Sequence, residues 1–248
     1  MSELSDRTAV VVGASRGLGR GIATALAEAG AAVVAVARGR EALAELAEGA
    51  DRIRPEAADA TDPSAAGTLV DRYRPDVLVL VAGATPQLRP LQHHTWETFS
   101  VNWESDVRIA FHWLREALLK PLRPGSRVVV ISSGAAVAGS PVSGGYAGAK
   151  ATQRLITGYA QEEAQRAGLD ITFTAVLPRI TPMTELGRPA VRAYAERYGM
   201  TEDEYIEQLG PLVTPEIAGA AVLELIGSDA ADVAPAYLLT GTGLRKLP

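Results

Sequence analysis

Three side chains in one stretch of the chain could together move a proton to or from an oxygen. They are Ser133 and, thirteen residues further on, Tyr146 and Lys150 in Tyr146-Ala-Gly-Ala-Lys150. A tyrosine four residues ahead of a lysine on a helix puts phenol and ammonium on one face, a turn apart. A phenol titrates at about pH 10 in water, too high for proton transfer at neutrality, and a fixed positive charge beside it favours the phenolate. A serine hydroxyl brought alongside can hydrogen-bond a carbonyl oxygen and orient it. The chemistry such a set serves is acid/base assistance to the reduction of a C=O or the oxidation of a CH–OH.

In a chain with seven tyrosines the pair alone is weakly specific, so its weight depends on the elements that must position it. Thr8 to Val12 is a short apolar run of the kind buried on both faces of a parallel sheet. Gly13-Ala-Ser15-Arg16-Gly17-Leu18-Gly19 follows at once. Leu18, Ile22, Leu26 and Ala29 then keep helical spacing up to Gly30. Ala32 to Ala37 predicts a second strand, Glu41 to Glu48 a helix, Ile53 to Ala57 a weaker third strand and Asp76 to Val81 a fourth. Trp96 to Leu119 reads as one long, largely helical stretch. Arg127 to Ile131 predicts a fifth strand, Tyr146 to Ala167 a helix, and Asp170 to Leu177 a sixth strand.

Strand and helix alternate without an internal linker, which predicts one α/β domain over residues 1–248, a doubly wound parallel sheet with right-handed crossovers. Such sheets take their ligands at the carboxyl ends of the strands. Gly13, Gly83, Ser133 and Pro178 each follow a predicted strand, so all fall on that one edge. Residues 181–212 are polar and rich in Tyr and Glu. They predict a helix pair that forms a flap over the site, not a second domain.

Composition narrows the function classes. The net charge of -5 comes without a basic run, which argues against nucleic acid. The chain has no cysteine, His93 and His94 are adjacent, and His112 lies far from both, so no metal site is expected. The start, Met1-Ser-Glu-Leu-Ser-Asp-Arg7, is polar and acidic, and no apolar run approaches a membrane span. The expectation is a cytoplasmic protein with neither signal peptide nor membrane partner.

A Gly-rich turn between a strand and a helix lets backbone approach a pyrophosphate, and the helix N-terminus offers free N–H groups and a positive dipole. Gly13-x-x-x-Gly17-x-Gly19 is therefore read as a dinucleotide loop. An NAD site usually has an acid at the end of the second strand, for the ribose 2′-OH. Here that strand ends Val36-Ala37-Arg38-Gly39-Arg40, with no acid until Glu41. Arg38 and Arg16 could clasp a 2′-phosphate from two sides, which favours NADP(H).

With the glycine loop, Ser133, Tyr146 and Lys150 in this order, the chain resembles the short-chain dehydrogenase/reductases of the short, single-domain kind, from Thr8 to about Thr242. The resemblance implies a Rossmann fold and assigns Tyr146 as the acid/base. Lys150 would tune that tyrosine and hold the nicotinamide ribose, and Ser133, in preference to Ser132, would orient the substrate carbonyl. It gives Asn102 the end of a proton relay, Asp59 a contact to adenine, and Ala82-Gly83 a close approach of backbone. Pro178, Ile180 and Thr181 would lie along the nicotinamide carboxamide. Two departures stand out: Leu80-Val81-Ala82-Gly83 lacks the family's asparagine after strand four, and Arg179 replaces the glycine after Pro178.

The reading implied is an NADP(H)-dependent oxidoreductase acting on a small carbonyl or alcohol. The alternatives are a non-catalytic NADP-binding regulator on the same fold and a nucleotide-sugar epimerase or dehydratase, for which the C-terminal part is short. Phe99, Trp103, Val107, Ala110, Phe111 and Leu114, with Leu155, Ile156 and Tyr159 on the helix after Tyr146, offer more apolar surface than one sheet face needs. In the family these two helices pair across a two-fold axis, so a homo-oligomer, most simply a tetramer, is expected.

Overall fold

The β-branched and apolar runs form one eight-stranded sheet. In the computed structural model, which describes residues 4–248, the strands are β1 Thr8–Val12, β2 Ala32–Ala37, β3 Ile53–Ala57, β4 Val77–Leu80, β5 Ser126–Ile131, β6 Ile171–Pro178, β7 Ala236–Thr240 and β8 Gly243–Leu247. Residues 1–3 of the polar start lie outside the described residues. The strand order is β3-β2-β1-β4-β5-β6-β7-β8, parallel throughout except for β8, which runs antiparallel to β7. The order reverses between β1 and β4, so the chain splays to either side there and leaves a crevice at the carboxyl edge.

Strand alternation sends side chains to two separate cores. Ala9 and Val11 of β1 face one layer, with Ile22, Leu26, Val222 and Leu225. Val10 and Val12 face the other, with Trp113, Leu114, Ala160 and Phe173. The first layer is built by α1 (Gly17–Glu28), α2 (Arg40–Ala47) and α10 (Pro215–Gly227). The second contains α3 (Pro63–Tyr73), α5 (Arg108–Leu119) and α7 (Tyr146–Arg166). Pro55, which lacks a ladder donor, is accommodated because β3 is an edge strand.

Three features differ from the sequence expectation. The stretch 96–119 is not one regular helix: α4 (Trp96–Asn102) gives way to a π-helical turn, Trp103–Val107, before α5 begins. The junction carries two polar side chains with no solvent exposure, Asn102 and Asp106, which an unbroken apolar stripe would not contain. Strands four, five and six are offset at their ends by a residue. Two further strands, β7 and β8, extend the sheet beyond the six read from the sequence, and β8 ends it with the exposed Arg245 and Lys246. The predicted helix pair in 181–212 forms as α8 (Gly187–Tyr198) and α9 (Glu202–Leu209), and a one-turn α6 (Ala135–Ala138) follows β5.

Of the apolar residues singled out on the two long helical segments, Ala110 and Leu114 are buried, whereas Trp103, Phe111, Leu155 and Tyr159 are exposed. No helix among the described residues is long and apolar enough to cross a membrane.

Trp113 ties the second layer to the carboxyl edge. Its ring is fully buried, and its indole N–H donates to the carbonyl of Ala60, 3.1 Å away, in the loop that follows β3 and carries Asp59. Trp113→Phe leaves that buried carbonyl without a donor and opens a void. The expected loss, read from urea unfolding midpoints, is about 2–4 kcal/mol.

Candidate active site

A cleft of about 1780 Å³ runs along the carboxyl edge of the sheet. Its walls include Gly13, Ser15, Arg16, Gly17, Leu18 and Gly19 from the first loop, Arg38 and Asp59 after β2 and β3, and Ala82 and Gly83 after β4. Ser133, Tyr146 and Lys150 line it too, as do Pro178, Ile180 and Thr181 after β6. Among the catalytic and cofactor-binding residues expected from sequence, Asn102 alone does not reach the cleft wall.

At the first loop, Gly13 and Gly17 have φ of +95° and +53°, the left-handed region that glycine enters without penalty. Gly13 also packs where a Cβ would lie 2.5 Å from the Ala82 nitrogen, so the loops after β1 and β4 lean directly on one another. Helix α1 starts at Gly17 with no side-chain cap and no acid in its first turn. By contrast, α3, α4, α9 and α10 begin on the side-chain caps Asp62, Thr95, Thr201 and Thr214. The first-turn N–H groups of α1 thus lack a side-chain acceptor at the cleft, the arrangement that suits an anion.

At that end of the cleft, Asp59 accepts from the backbone N–H and the hydroxyl of Thr61, at 2.9 and 2.8 Å. These two hydrogen bonds, with a smaller contribution from the charge of Arg38, hold its carboxyl below the usual range. Arg38 is exposed and has no ion-pair partner among the described residues. Arg16 is engaged instead, by an exposed ion pair with Glu185 from the segment after β6.

At the opposite end the two serines after β5 separate in role. Ser132 is buried and donates its hydroxyl to the Lys150 carbonyl at 2.7 Å. Ser133 is half-buried at the cleft wall, its Oγ accepting from the Ala135 N–H at 3.2 Å. Tyr146 opens α7 half-buried at the cleft, and Lys150 sits one turn on with its Nζ 5.6 Å from the tyrosine ring centre.

The side chain that sequence reading missed is Asp106. Its Oδ2 lies 3.1 Å from Lys150 Nζ, and both side chains are almost wholly shielded from solvent. Its Oδ1 accepts from the Ala84 N–H at 2.8 Å and from Asn102 Nδ2 at 3.2 Å. Asn102 Nδ2 also donates to the Ala84 carbonyl at 2.8 Å. The loop after β4 is thus anchored by polar side chains even though the family's asparagine is absent from it. The anchors reach in from the helical segment, where Asp106 is one acid among Glu97, Glu104 and Glu116 and nothing in its spacing sets it apart. Gly83 is required by this carboxylate: a Cβ there would lie 2.6 Å from Asp106 Oδ2.

Burial disfavours the Lys150 ammonium, but the Asp106 carboxylate and then Tyr146 outweigh it and raise the lysine above its ordinary value. The remaining wall carries stacked tyrosines. Tyr194 and Tyr205 lie 5.7 Å apart at 12° between ring planes, Tyr198 stacks on both, and the Tyr194 hydroxyl is hydrogen-bonded to Ser140. Burial, then the neighbouring Tyr194 and Tyr198, push the Tyr205 phenol up to about 12. Arg179 is exposed on the cleft wall, and its charge acts on Tyr205. Thr181 is buried, with its hydroxyl 2.9 Å from that of Thr184.

The family described as short chain dehydrogenase matches residues 7–194. A hydroxynaphthalene reductase-like protein of Metarhizium robertsii is 33% identical over 187 residues, covering 71% of this chain and 68% of its own length. A D-beta-hydroxybutyrate dehydrogenase of Rhizobium meliloti is 28% identical over 253 residues, 92% of this chain and 94% of that protein. Among solved structures, an actinorhodin polyketide ketoreductase variant with NADPH superposes with a TM-score of 0.83 at 25% identity, covering 97% of this chain and 98% of that one.

Proposed function

This chain belongs to the short-chain dehydrogenase family and is an oxidoreductase of it, and we propose that it interconverts a ketone or aldehyde and an alcohol with NADP(H). The observation that carries the reading is the trio at the inner end of the cleft: Ser133 and Tyr146 at the wall, with a buried ammonium 5.6 Å behind the phenol ring.

The outer end fits a nicotinamide dinucleotide, because the N-terminus of α1 is uncapped and the glycines around it leave room for an anion. Gly13, Ser15, Gly17, Leu18 and Gly19 would hold the pyrophosphate, Arg16 and Arg38 the 2′-phosphate and Asp59 the adenine. Ala82, Gly83, Pro178, Ile180 and Thr181 would line the path towards the nicotinamide. When bound, that group supplies or accepts the hydride. Ser133 orients the substrate oxygen, and Tyr146 gives it a proton in reduction or takes one in oxidation. The ammonium of Lys150 favours the phenolate that results. Asn102, hydrogen-bonded to Asp106 and to the Ala84 carbonyl, would complete a proton relay from Lys150 towards solvent.

The phosphate-bearing cofactor is favoured by the lack of an acid at the end of β2, by the unpaired Arg38, and by the NADPH in the similar ketoreductase. Residues 181–212 are read as a substrate flap, since Met183, Tyr194, Tyr198 and Tyr205 all line the cleft. Their stacked rings, together with relatives named for reduction of naphthalene-type and polyketide compounds, put planar cyclic ketones first in a substrate panel. The exposed Trp103, Phe111, Leu155 and Tyr159 support pairing with further copies of the chain as a homo-oligomer.

Tyr146→Phe removes the proton donor at nearly constant volume. Turnover in a ketone/NADPH panel is expected to fall by about a hundredfold or more, with cofactor affinity nearly intact; near-normal turnover would refute the acid/base assignment. Arg38→Asp is expected to move the NADPH-over-NADH preference by roughly tenfold or more, since a lost charged hydrogen bond is worth about 1.5–3 kcal/mol. Fluorescence titration with both cofactors measures it, and an unchanged ratio makes Arg38 a mere surface residue. Light scattering at micromolar protein is expected to return a multiple of the 26.0 kDa chain mass, and a monomer mass removes the oligomer.

A further inference from the structure

Around Lys150 Nζ stand three acceptors: Asp106 Oδ2 at 3.1 Å, Gln153 Oε1 at 2.9 Å and the Ile131 carbonyl at 3.4 Å. An ammonium has three N–H donors and no lone pair, so the cage matches the charged form, whereas a neutral amine would turn its lone pair on an acceptor. Gln153 closes the cage from behind, its Nε2 donating to the Asp106 carbonyl at 2.9 Å. Asp106 meanwhile holds the loop after β4 through the Ala84 N–H and shares Asn102 with that loop. A neutral amide could keep the Ala84 bond. Only a carboxylate balances a charge that burial would otherwise remove.

We propose that Asp106 is a positioning residue, which locks the Lys150 ammonium against the Gly83-Ala84 loop and keeps it charged within the core, so that lysine and loop move as one unit. With its donors turned inward, Lys150 acts on Tyr146 through its field, across the 5.6 Å to the ring, and not through a direct hydrogen bond. The catalytic consequence rests on the acid/base reading of Tyr146; the holding of the ammonium does not.

The groups that face Lys150 from the packed elements are few. Asp106 comes from the π turn, Tyr146 and the neutral Gln153 from α7, a carbonyl from β5, and the neutral Asn102 from α4 stands behind the carboxylate. The sign follows from them. Burial favours the neutral amine and Asp106 the ammonium, so Lys150 keeps its proton until the pH exceeds the ordinary lysine range. Replacing Asp106 by a neutral group leaves burial less opposed, and the proton is lost at lower pH.

Lys120, Lys150 and Lys246 are the three lysines of the chain, so ¹⁵N-lysine labelling of the full-length protein resolves the Nζ titration of each by NMR. In the wild type, Lys150 is expected to deprotonate above about pH 10.4, the ordinary lysine value. In Asp106→Asn its midpoint should fall by about one unit or more, and the alkaline limb of turnover should move down with it. A wild-type Lys150 that titrates below the ordinary value, a midpoint unmoved in Asp106→Asn, or a turnover limb that stays put while the midpoint shifts, each overturns the proposal. Should Asp106→Asn not fold, the wild-type titration alone decides. If Tyr146→Phe keeps full turnover, the acid/base reading fails, and the lysine titration still settles whether Asp106 holds the ammonium.

Discussion

The ion pair between Lys150 and Asp106 constrains the interior of this protein more tightly than any apolar contact. Removing two charges from water costs several kcal/mol for each ion, and the pair is tolerated only where geometry and extra hydrogen bonds compensate. Here the compensation comes from separate parts of the chain: the Ile131 carbonyl in β5, Gln153 in α7, Asn102 in α4 and the backbone of Ala84 after β4. Each must be in register for the charges to stay inside. The same requirement accounts for glycine at 83, where a side chain would collide with the carboxylate. The π-helical turn that interrupts the segment 96–119 is also where Asp106 sits.

The two ends of the cleft are organised on different physical terms. Around α1 the backbone dominates: positive-φ glycines, close approach of the loops after β1 and β4, and N–H groups left without a side-chain acceptor. Charges there are exposed and exchangeable. Arg16 pairs with Glu185, while the charge of Arg38 acts only weakly on Asp59. Around Tyr146 the side chains dominate, and they are held by burial, by the Lys150–Asp106 ion pair and by the hydrogen bonds of Asn102 and Gln153. An exposed outer end that adapts to a charged ligand, joined to a rigid inner end that keeps a phenol and an ammonium in fixed relation, suits an oxidoreductase of this family.

The wall built by α8 and α9 adds a third character. Three tyrosines stack on one another, the charge of Arg179 acts on Tyr205, and the Tyr194 hydroxyl is hydrogen-bonded to Ser140 in the segment after β5. This wall concentrates aromatic rings that the loops around α1 lack.

Much of this was legible in the residues. Continuous apolar, β-branched runs placed six strands within a residue or so of their ends, because such runs suit strands buried on both faces of a doubly wound sheet. Glycine after the first strand and a Tyr-x-x-x-Lys on a helix named residues at both ends of the cleft wall, because local geometry alone puts those residues on one edge and one face. The resemblance preferred Ser133 to Ser132, and the fold supplies the physical difference between two chemically alike side chains: the Lys150 carbonyl engages the hydroxyl of Ser132. Asp106 was invisible. An acid in a helical stretch reads as a solvated residue until tertiary packing brings Lys150 within 3.1 Å of it from a helix some forty residues away. Sequence determined six of the eight strands, the glycine loop and the placing of Tyr146 and Lys150 on one helix face, since these follow from short-range sterics and spacing. Tertiary structure alone decided how the buried ammonium is balanced, because charge compensation in the core depends on partners that only folding brings together.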